Sequence, residues 1–382
     1  MQNVYRGIAL ALVAIFLASV ARFYHRDTGF TALIAFPEGH EYEAPALRDI
    51  PHYQYPQWAS YDGQFYAQRA LDPLVRDPEV DRAMDLAPYR ARRILFSWTA
   101  YLLGMGRPAW ILEAFALQNV ASWLILAVLL TRWLPLNSSR ALLLWTACMF
   151  SHGLLWSVRF ALLDGPSLVL TTCAILAAER GRYLLSAGIS GINGLGRETN
   201  VLGVLAQPFL GKDRPSTAWE WPRLAVAFVL VVLPLLLWED YLRSIYRSTI
   251  FAGGDQLTLP GTAFASTAGR VLAATKTAGL FSPTGLQICV VVPMAVQGIY
   301  LALRRRYETP WWRVAAGYAL LMLLIDRVLW EPATGAITRV MLPMTVGFNV
   351  MLAREERAVP FWWWFLTGNL HLIPSFWVMP LI

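Results

Sequence analysis

Charged side chains are scarce in this chain of 382 residues. Asp, Glu, Lys and Arg together make up only 15% of it, and hydrophobic residues make up 57%. A soluble domain of this length carries about 25% charged residues. The shortage argues against a soluble globular protein and favours one whose surface lies largely in lipid.

Cysteine and cofactor motifs are also scarce. Cys148, Cys173 and Cys289 lie inside apolar runs without metal-site spacing or an even disulfide framework, so we expect buried thiols. No zinc, P-loop or dinucleotide motif is present, and there is no internal repeat. The net charge of +7 comes from arginines at the ends of apolar runs. That distribution argues against nucleic acid as a partner and for a lipid bilayer.

The chain does contain a series of apolar runs long enough to cross a bilayer. They occupy residues 7–22, 109–132, 140–160, 165–179, 223–240, 284–303, 312–330, 335–352 and 360–379. The first run follows Arg6 and is predicted to be an uncleaved span. We therefore predict an all-α polytopic membrane protein with about ten transmembrane helices, forming one membrane domain over residues 1–382.

Two stretches fit this pattern less simply. Residues 94–105 are apolar but short, and the glycines and proline that follow predict a helix lying at the membrane interface. Residues 183–210 are long enough for one span, yet four glycines interrupt them and Arg197-Glu198 stands at their middle. This stretch is either one span or a broken pair of half-helices that meet at residues 196–198.

The short arginine-rich connections predict the orientation, because such loops stay cytoplasmic. These connections lie near residues 132–140, 179–182, 212–214, 304–306 and 354–357. Residues 23–93 then form a long outer loop with short amphipathic helices, and residues 241–283 form a second outer loop. With both the 180 and 212 clusters inside, the stretch between them must cross an even number of times, which favours the half-helices.

The long loop contains a candidate catalytic carboxylate. Residues 60–73 predict a short helix that starts near Ser60 or Asp62 and ends before Pro73. Helical spacing places Asp62, Tyr66 and Arg69 on one face. An aspartate in the first turn is held ionised by the helix dipole, as a general base for a sugar or lipid hydroxyl requires. The alternative is that Asp62 only caps the helix.

Arginines dominate the end of the same loop. Arg90, Arg92 and Arg93 abut the predicted interfacial helix at the outer face. A guanidinium fork matches phosphate oxygens, so these side chains are candidates for holding a lipid phosphate or another anionic headgroup. The alternative is a simple interfacial anchor.

Ionisable residues within the apolar runs are functional candidates because burying charge in a membrane is costly. Asp164, Arg197, Glu198 and Arg339 all fall on the predicted outer side, the side of Asp62. Each also has a structural interpretation. Asp164 would cap a helix, Arg197 and Glu198 would form an ion pair between the half-helices, and Arg339 would snorkel to the interface.

Five short motifs carry a family resemblance. They are Y-D-G-Q-F-Y at 61–66, Y-R-x-x-R-I-L at 89–95, L-D-G-P at 163–166, G-R-E-T at 196–199 and R-V-x-L-P at 339–343. With the layout of one span, a long outer loop and many further spans, the chain resembles the GT-C superfamily of integral membrane glycosyltransferases. It also looks like bacterial membrane proteins linked to cell-surface glycopolymer formation.

The resemblance implies sugar transfer from a polyprenyl-phosphate donor to a glycan or lipid acceptor, at the periplasmic face of a plasma (inner) membrane. By match to the loop motif, the catalytic acid is Asp62. The residues expected to bind substrate or lipid phosphate are Tyr61, Gln64, Tyr66, Arg69, Asp85, Tyr89, Arg90, Arg93, Asp164, Arg197, Glu198 and Arg339.

The chain departs from the family pattern at one position. Many members carry two consecutive acids in the loop, whereas Gly63 follows Asp62 here. A second acid would have to be Asp85 or Asp164. No cofactor is required and no metal ligand is assigned, with a divalent cation left open.

Two other functions remain as alternatives. A transporter or flippase for a lipid-linked saccharide would use the broken helix as a midplane substrate site, although the chain lacks the repeat between halves that such proteins usually show. A non-catalytic subunit of a polysaccharide assembly complex would tolerate Asp62→Ala.

Overall fold

The computed structural model describes residues 2–39, 41–56, 59–208, 220–246, 256–279, 282, 285–331 and 335–379. Within them the protein is mainly helical, with one pair of short parallel strands. The strands β1 (Phe36–Pro37) and β2 (Gln54–Tyr55) both lie in the predicted long outer loop. The arginine cluster at 212–214 lies outside the described residues.

The first five helices cover the amino-terminal part of the chain, up to residue 91. They are α1 (Gln2–Ala21), α2 (Pro45–Arg48), α3 (Gly63–Leu71), α4 (Pro78–Arg82) and α5 (Ala87–Ala91). The remaining helices are α6 (Leu95–Leu103), α7 (Pro108–Leu129), α8 (Ser139–Met149), α9 (His152–Arg159), α10 (Asp164–Glu179), α11 (Tyr183–Gly194), α12 (Glu220–Tyr246), α13 (Thr262–Ala278), α14 (Ile288–Leu303), α15 (Pro310–Leu324), α16 (Ala336–Val340), α17 (Leu342–Leu352), α18 (Ala358–Gly368) and α19 (Leu372–Val378). Shorter 3-10 turns cover Thr31–Leu33, Leu130–Arg132, Glu198–Ala206, Gly285–Gln287 and Arg327–Trp330.

Among the described residues, four helices are long and apolar enough to cross a membrane. They are Gln2–Ala21, Pro108–Arg132, Trp221–Tyr246 and Gly285–Leu303. A fifth crossing results if α8 and α9, which bend by 43° at their junction, count as one span. Large apolar side chains project outward from α12, including Phe228 and Leu237. A membrane environment would cover such a surface, so these helices are compatible with a membrane protein.

The break predicted after residue 103 is present. The chain turns at Gly104 and Gly106, and α7 begins at Pro108, where a missing N–H costs no helical hydrogen bond. A Cβ on Gly104 would lie 2.5 Å from the backbone nitrogen of Ile111, so the turn brings α6 and α7 into close contact.

The glycine-rich stretch forms two segments instead of one continuous helix. α11 ends at Gly194 and the 3-10 helix begins at Glu198, and the two segments pack against each other. Their close approach needs a small residue, because a Cβ on Gly203 would lie 2.6 Å from the Ser190 hydroxyl. The predicted break at 196–198 therefore lies at the tip of a tight helical hairpin.

The two predicted outer loops contain helices. The first loop holds α2 to α5, and α3 packs against α6 and α7. In the second, α12 continues to Tyr246 and α13 covers Thr262–Ala278, while residues 247–255 lie outside the described part. The loop helix α3 is thus fixed on the apolar bundle, which positions the residues at its start.

Candidate functional site

Most of the predicted site residues line one cavity of about 270 Å³. Its walls come from the start of α3, from α5, from the start of α10, from the break at 195–197 and from α16. The predicted residues in its wall are Tyr61, Asp62, Tyr66, Asp85, Tyr89, Arg90, Arg93, Asp164, Arg197 and Arg339. Segments far apart in sequence therefore meet at a single concave surface.

Asp62 stands at the position that precedes α3, but its side chain does not cap the helix. No hydrogen bond joins its carboxylate to the backbone of the first turn. Instead, Oδ1 accepts a 2.9 Å hydrogen bond from Nη2 of Arg90. The side chain is 38% exposed toward the cavity. The capping interpretation of Asp62 is therefore wrong, and the carboxylate remains accessible to a bound molecule.

Close backbone contacts explain why a glycine follows Asp62. A Cβ on Gly63 would overlap the carbonyl oxygen of Phe160 and approach that of Ile34 to 3.1 Å. Neither backbone oxygen can move without shifting its segment. A second acid directly after Asp62 is therefore excluded in this fold, and any further carboxylate must come from another segment.

Asp85 and Asp164, the two candidates for a second acid, both line the cavity, and Asp85 lies beside Asp62 through a shared arginine. Arg90 donates from Nε to Oδ1 of Asp85 at 2.9 Å and from Nη2 to Oδ2 at 2.6 Å. The same guanidinium donates to Asp62, so Asp62 and Asp85 flank one arginine. Arg90 also lies over the ring of Phe65, with 4.7 Å from Cζ to the ring centroid. These contacts hold the guanidinium at the cavity wall.

Tyr66 links this group to a second arginine. Its hydroxyl accepts from Nη1 of Arg90 at 3.3 Å and from Nη1 of Arg93 at 3.2 Å. Arg93 in turn donates to both oxygens of Glu198, at 2.9 and 2.5 Å, and to the hydroxyl of Tyr89 at 2.6 Å. The loop helix α5 is thereby tied to the tip of the hairpin.

A third group surrounds Asp164, whose side chain is only 3% exposed. Its Oδ1 accepts from Arg197, and its Oδ2 accepts from Nη1 of Arg339 at 2.9 Å. Arg339 also donates from Nη2 to the Tyr61 hydroxyl at 2.9 Å. Asp164 is therefore buried between two guanidiniums at the floor of the cavity.

The proposed ion pair between Arg197 and Glu198 is wrong. Arg197 bonds to Asp164, whereas Glu198 bonds to Arg93. The backbone at Arg197 is extended, with φ −162° and ψ 132°. Adjacent side chains on extended backbone point to opposite sides, so the two neighbours serve different partners.

Three predicted residues do not line the cavity, and they are Gln64, Arg69 and Glu198. Arg69 is fully buried and bonds to Asp72 and Asp81, neither of which lines the cavity. Gln64 is 3% exposed and packs inside the loop subdomain. Arg69 therefore does not line the cavity with Asp62 and Tyr66, because Asp72 and Asp81 bind its guanidinium. Glu198 takes part only through Arg93.

The cavity also contains residues that the sequence did not single out. They are Leu86, Leu162, Leu163, Gln256, Val328, Leu329 and Ala336. Six of these seven residues are apolar, so the cavity wall is not formed by charged groups alone. Gln256 donates to the Tyr89 hydroxyl at 3.1 Å. Only Leu163, which stands inside the L-D-G-P motif, had a sequence signal that could have found it.

The cavity keeps Asp62 ionised. Burial raises the pKa of this carboxyl, but the guanidiniums of Arg90 and Arg339 outweigh burial and bring the pKa below its usual value. Burial also raises the pKa of Tyr61, so its phenol stays neutral near pH 7. Four arginines and three aspartates line the wall, and Glu198 pairs with Arg93, so each of these guanidiniums already has a carboxylate partner.

The chain matches no family model, no curated protein and no solved structure. The described residues contain no group of three or more His, Cys, Asp or Glu side chains that could hold a metal ion. The likeness to GT-C enzymes therefore depends on its five motifs, and each of them contributes at least one residue to the cavity or its ion pairs.

Proposed function

We propose that this chain is a GT-C type integral membrane glycosyltransferase that moves a sugar from a polyprenyl-phosphate donor to a cell-surface glycan or lipid acceptor. The observation that carries the proposal is the cavity itself. It places an accessible carboxylate, that of Asp62, among four arginines that other groups hold in position. Sugar transfer from a phosphate needs both elements, a base for the acceptor and positive charge for the leaving group.

The proposal includes a membrane arrangement. About ten crossings result if the shorter apolar helices complete the spans between the long ones. The amino terminus is then cytoplasmic, and the cavity opens at the periplasmic or outer face of the plasma membrane. The apolar lining residues, which include Leu162, Leu163 and Leu329, would contact the lipid carrier.

In the proposed reaction, Asp62 takes the proton of the acceptor hydroxyl. The oxygen attacks the anomeric carbon of the donor sugar while the bond from that carbon to the phosphate oxygen breaks, with inversion. The phosphate leaves with the bonding electrons. The accessibility of Asp62 and its single arginine partner support this role, since the carboxylate retains an oxygen for the acceptor.

Arginines would stabilise the leaving phosphate. Arg339 and Arg197 are anchored by Asp164, and Arg90 and Arg93 are anchored by Tyr66 and their carboxylates. A guanidinium that is already fixed needs no reorganisation when charge develops, which is the source of electrostatic catalysis. The proposal allows a divalent cation as an additional partner of the phosphate.

The test compares two aspartates that share one arginine. Asp62→Asn and Asp85→Asn each remove a carboxylate from Arg90, and the two side chains are similarly exposed, 38% and 36%. Cell-surface glycan composition is measured in a host lacking the gene and complemented with wild type or either variant, at equal membrane abundance. We expect Asp62→Asn to lower transfer about 10²–10⁴-fold, as loss of a general base does, and Asp85→Asn, which removes a charge beside Arg90 but not the base, to lower it far less.

If Asp62→Asn restores the glycan as fully as wild type, Asp62 is not the base. A flippase or a non-catalytic assembly subunit then becomes the better explanation. If both variants fail equally, the role of Asp62 is only to hold Arg90.

A further inference from the structure

A second polar cavity, of about 630 Å³, lies away from the one described above. It is formed where the turn after α7, the start of α8, the end of α10 and the end of α17 meet. Three arginines contribute to its wall, Arg132, Arg140 and Arg354, against a single carboxylate, Glu179. None of these residues takes part in the proposed sugar transfer.

The helix α10 connects the two cavities. It begins at Asp164, in the first cavity, and its sixteenth and last residue is Glu179, in the second. At a rise of 1.5 Å per residue the two sites lie roughly 24 Å apart. That distance is most of the thickness of a bilayer core. The second cavity is therefore at the opposite end of the helical bundle.

The positive charge in this cavity is not neutralised within the described residues. Glu179 is already engaged, since both of its oxygens accept from Nε1 of Trp133 at 2.9 Å. Arg140 donates to the backbone carbonyls of Glu355 and Glu356, at 3.4 and 3.3 Å. Arg132 and Arg354 are exposed and have no carboxylate partner in the described part of the chain.

We infer that this second cavity binds a phosphate group, with Arg132 and Arg354 as its main contacts. Two guanidinium forks that line the same cavity can donate to several phosphate oxygens at once. Asn137 and Ser138 supply neutral polar groups beside them. The phosphate belongs either to an anionic lipid headgroup or to a soluble phosphate compound, because both present the same oxygens to the arginines.

The experiment uses the purified full-length protein in nanodiscs and measures the midpoint of thermal unfolding. In one arm, inorganic phosphate is titrated into phosphatidylcholine nanodiscs at constant ionic strength. In the other, phosphatidylglycerol replaces phosphatidylcholine without added phosphate. Binding to the folded protein raises the midpoint. A rise in the first arm identifies a soluble phosphate ligand, and a rise in the second identifies a lipid headgroup.

Three variants locate the effect. Arg132→Ala and Arg354→Ala should each weaken binding about tenfold, the effect of losing a charge-assisted hydrogen bond. Arg305→Ala is the matched control. It removes the same charge from an exposed arginine that lies outside the cavity, next to Arg304, which pairs with Glu355 at 3.2 Å.

The inference is overturned if neither arm raises the midpoint of the wild type. It is also overturned if Arg132→Ala and Arg354→Ala respond as the wild type does. The phosphate would then occupy another site, such as the cavity around Asp62. Equal losses in all three variants would overturn it too, since they would show only a general effect of surface charge.

Discussion

Asp164 and Arg339 lie 175 positions apart in the chain, yet Oδ2 of Asp164 accepts a 2.9 Å hydrogen bond from Nη1 of Arg339. Both side chains are nearly buried, and Arg197 engages the other oxygen of the same carboxylate. One aspartate thus joins the start of α10, the hairpin tip and α16. This contact fixes the floor of the cavity before any ligand arrives.

Asp164→Asn should therefore destabilise the fold. The substitution leaves two guanidiniums facing a neutral amide in a buried site, and breaking a buried pair costs about 3–5 kcal/mol. Asp62→Asn is the control, because Asp62 is accessible and holds one arginine that Asp85 also binds. We expect a clearly lower thermal unfolding midpoint for Asp164→Asn in detergent and a small change for Asp62→Asn. Equal midpoints would show that the buried triad contributes little to stability.

Tyr66→Phe should impair transfer while the protein still folds. The phenol oxygen is the one acceptor that Arg90 and Arg93 share among the described residues, and phenylalanine keeps the buried ring but removes it. Losing an acceptor for a charged donor costs about 1–3 kcal/mol, and both guanidiniums gain freedom to move. We predict roughly tenfold slower transfer at near-normal membrane abundance.

Tyr89→Phe provides a comparison for that variant. It removes a hydroxyl that contacts Arg93 alone of the two arginines, so its effect on transfer should be smaller. A Tyr66→Phe protein with wild-type transfer would mean that the carboxylates alone position the arginines.

The local parts of this site could be predicted from the sequence, but the partners of its charges could not. The helix after Asp62 was expected because Pro73 limits its end, and α3 does cover Gly63–Leu71. The predicted orientation places Asp62, Arg197 and Arg339 on the same side of the membrane, and all three line the cavity. Gln256 lacked any such signal, because it lies in a connection without periodicity.

The errors have definite physical causes. Helical spacing put Arg69 on the face of Asp62, but spacing alone does not say which face is covered, and Asp72 and Asp81 bind Arg69 inside the loop subdomain. The adjacency of Arg197 and Glu198 in the sequence predicts an ion pair between them, but each binds another residue. The extended backbone between them sends their side chains in opposite directions.

The pH dependence of transfer should follow Asp62. Because Arg90 and Arg339 bring its pKa below the usual value, the carboxylate stays ionised from neutral pH down to about pH 4. Protonation, and with it the loss of the Arg90 contact, occurs only as the pH falls through the lowered pKa. Transfer by membranes from the complemented host should therefore lose little between about pH 7 and pH 5 through this group.

Arg90→Gln should move the acid limb of that profile to higher pH. It removes the nearest positive charge, and an opposite charge at this distance typically lowers a carboxyl pKa by about 1–3 units. Arg90→Lys keeps the charge and should keep the limb closer to that of the wild type. Identical acid limbs for Arg90→Gln and the wild type would show that Arg90 does not control the ionisation of the catalytic group.

Two glycines of α11 provide a test of how the hairpin packs. A Cβ on Gly191 would overlap the carbonyl oxygen of Leu230 in α12 and lie 3.2 Å from the Pro234 side chain, whereas a Cβ on Gly188 would have no atom within 4 Å. Both positions are helical, so alanine removes the same backbone freedom at each. Gly191→Ala should lower the unfolding midpoint, since overpacking costs about 1–3 kcal/mol. Gly188→Ala should match or exceed the wild type, because alanine favours a helix by about 0.5–1 kcal/mol over glycine. Equal stability of the two variants would show that α11 does not approach α12 this closely. The hairpin tip that carries Arg197 would then lie elsewhere relative to α12.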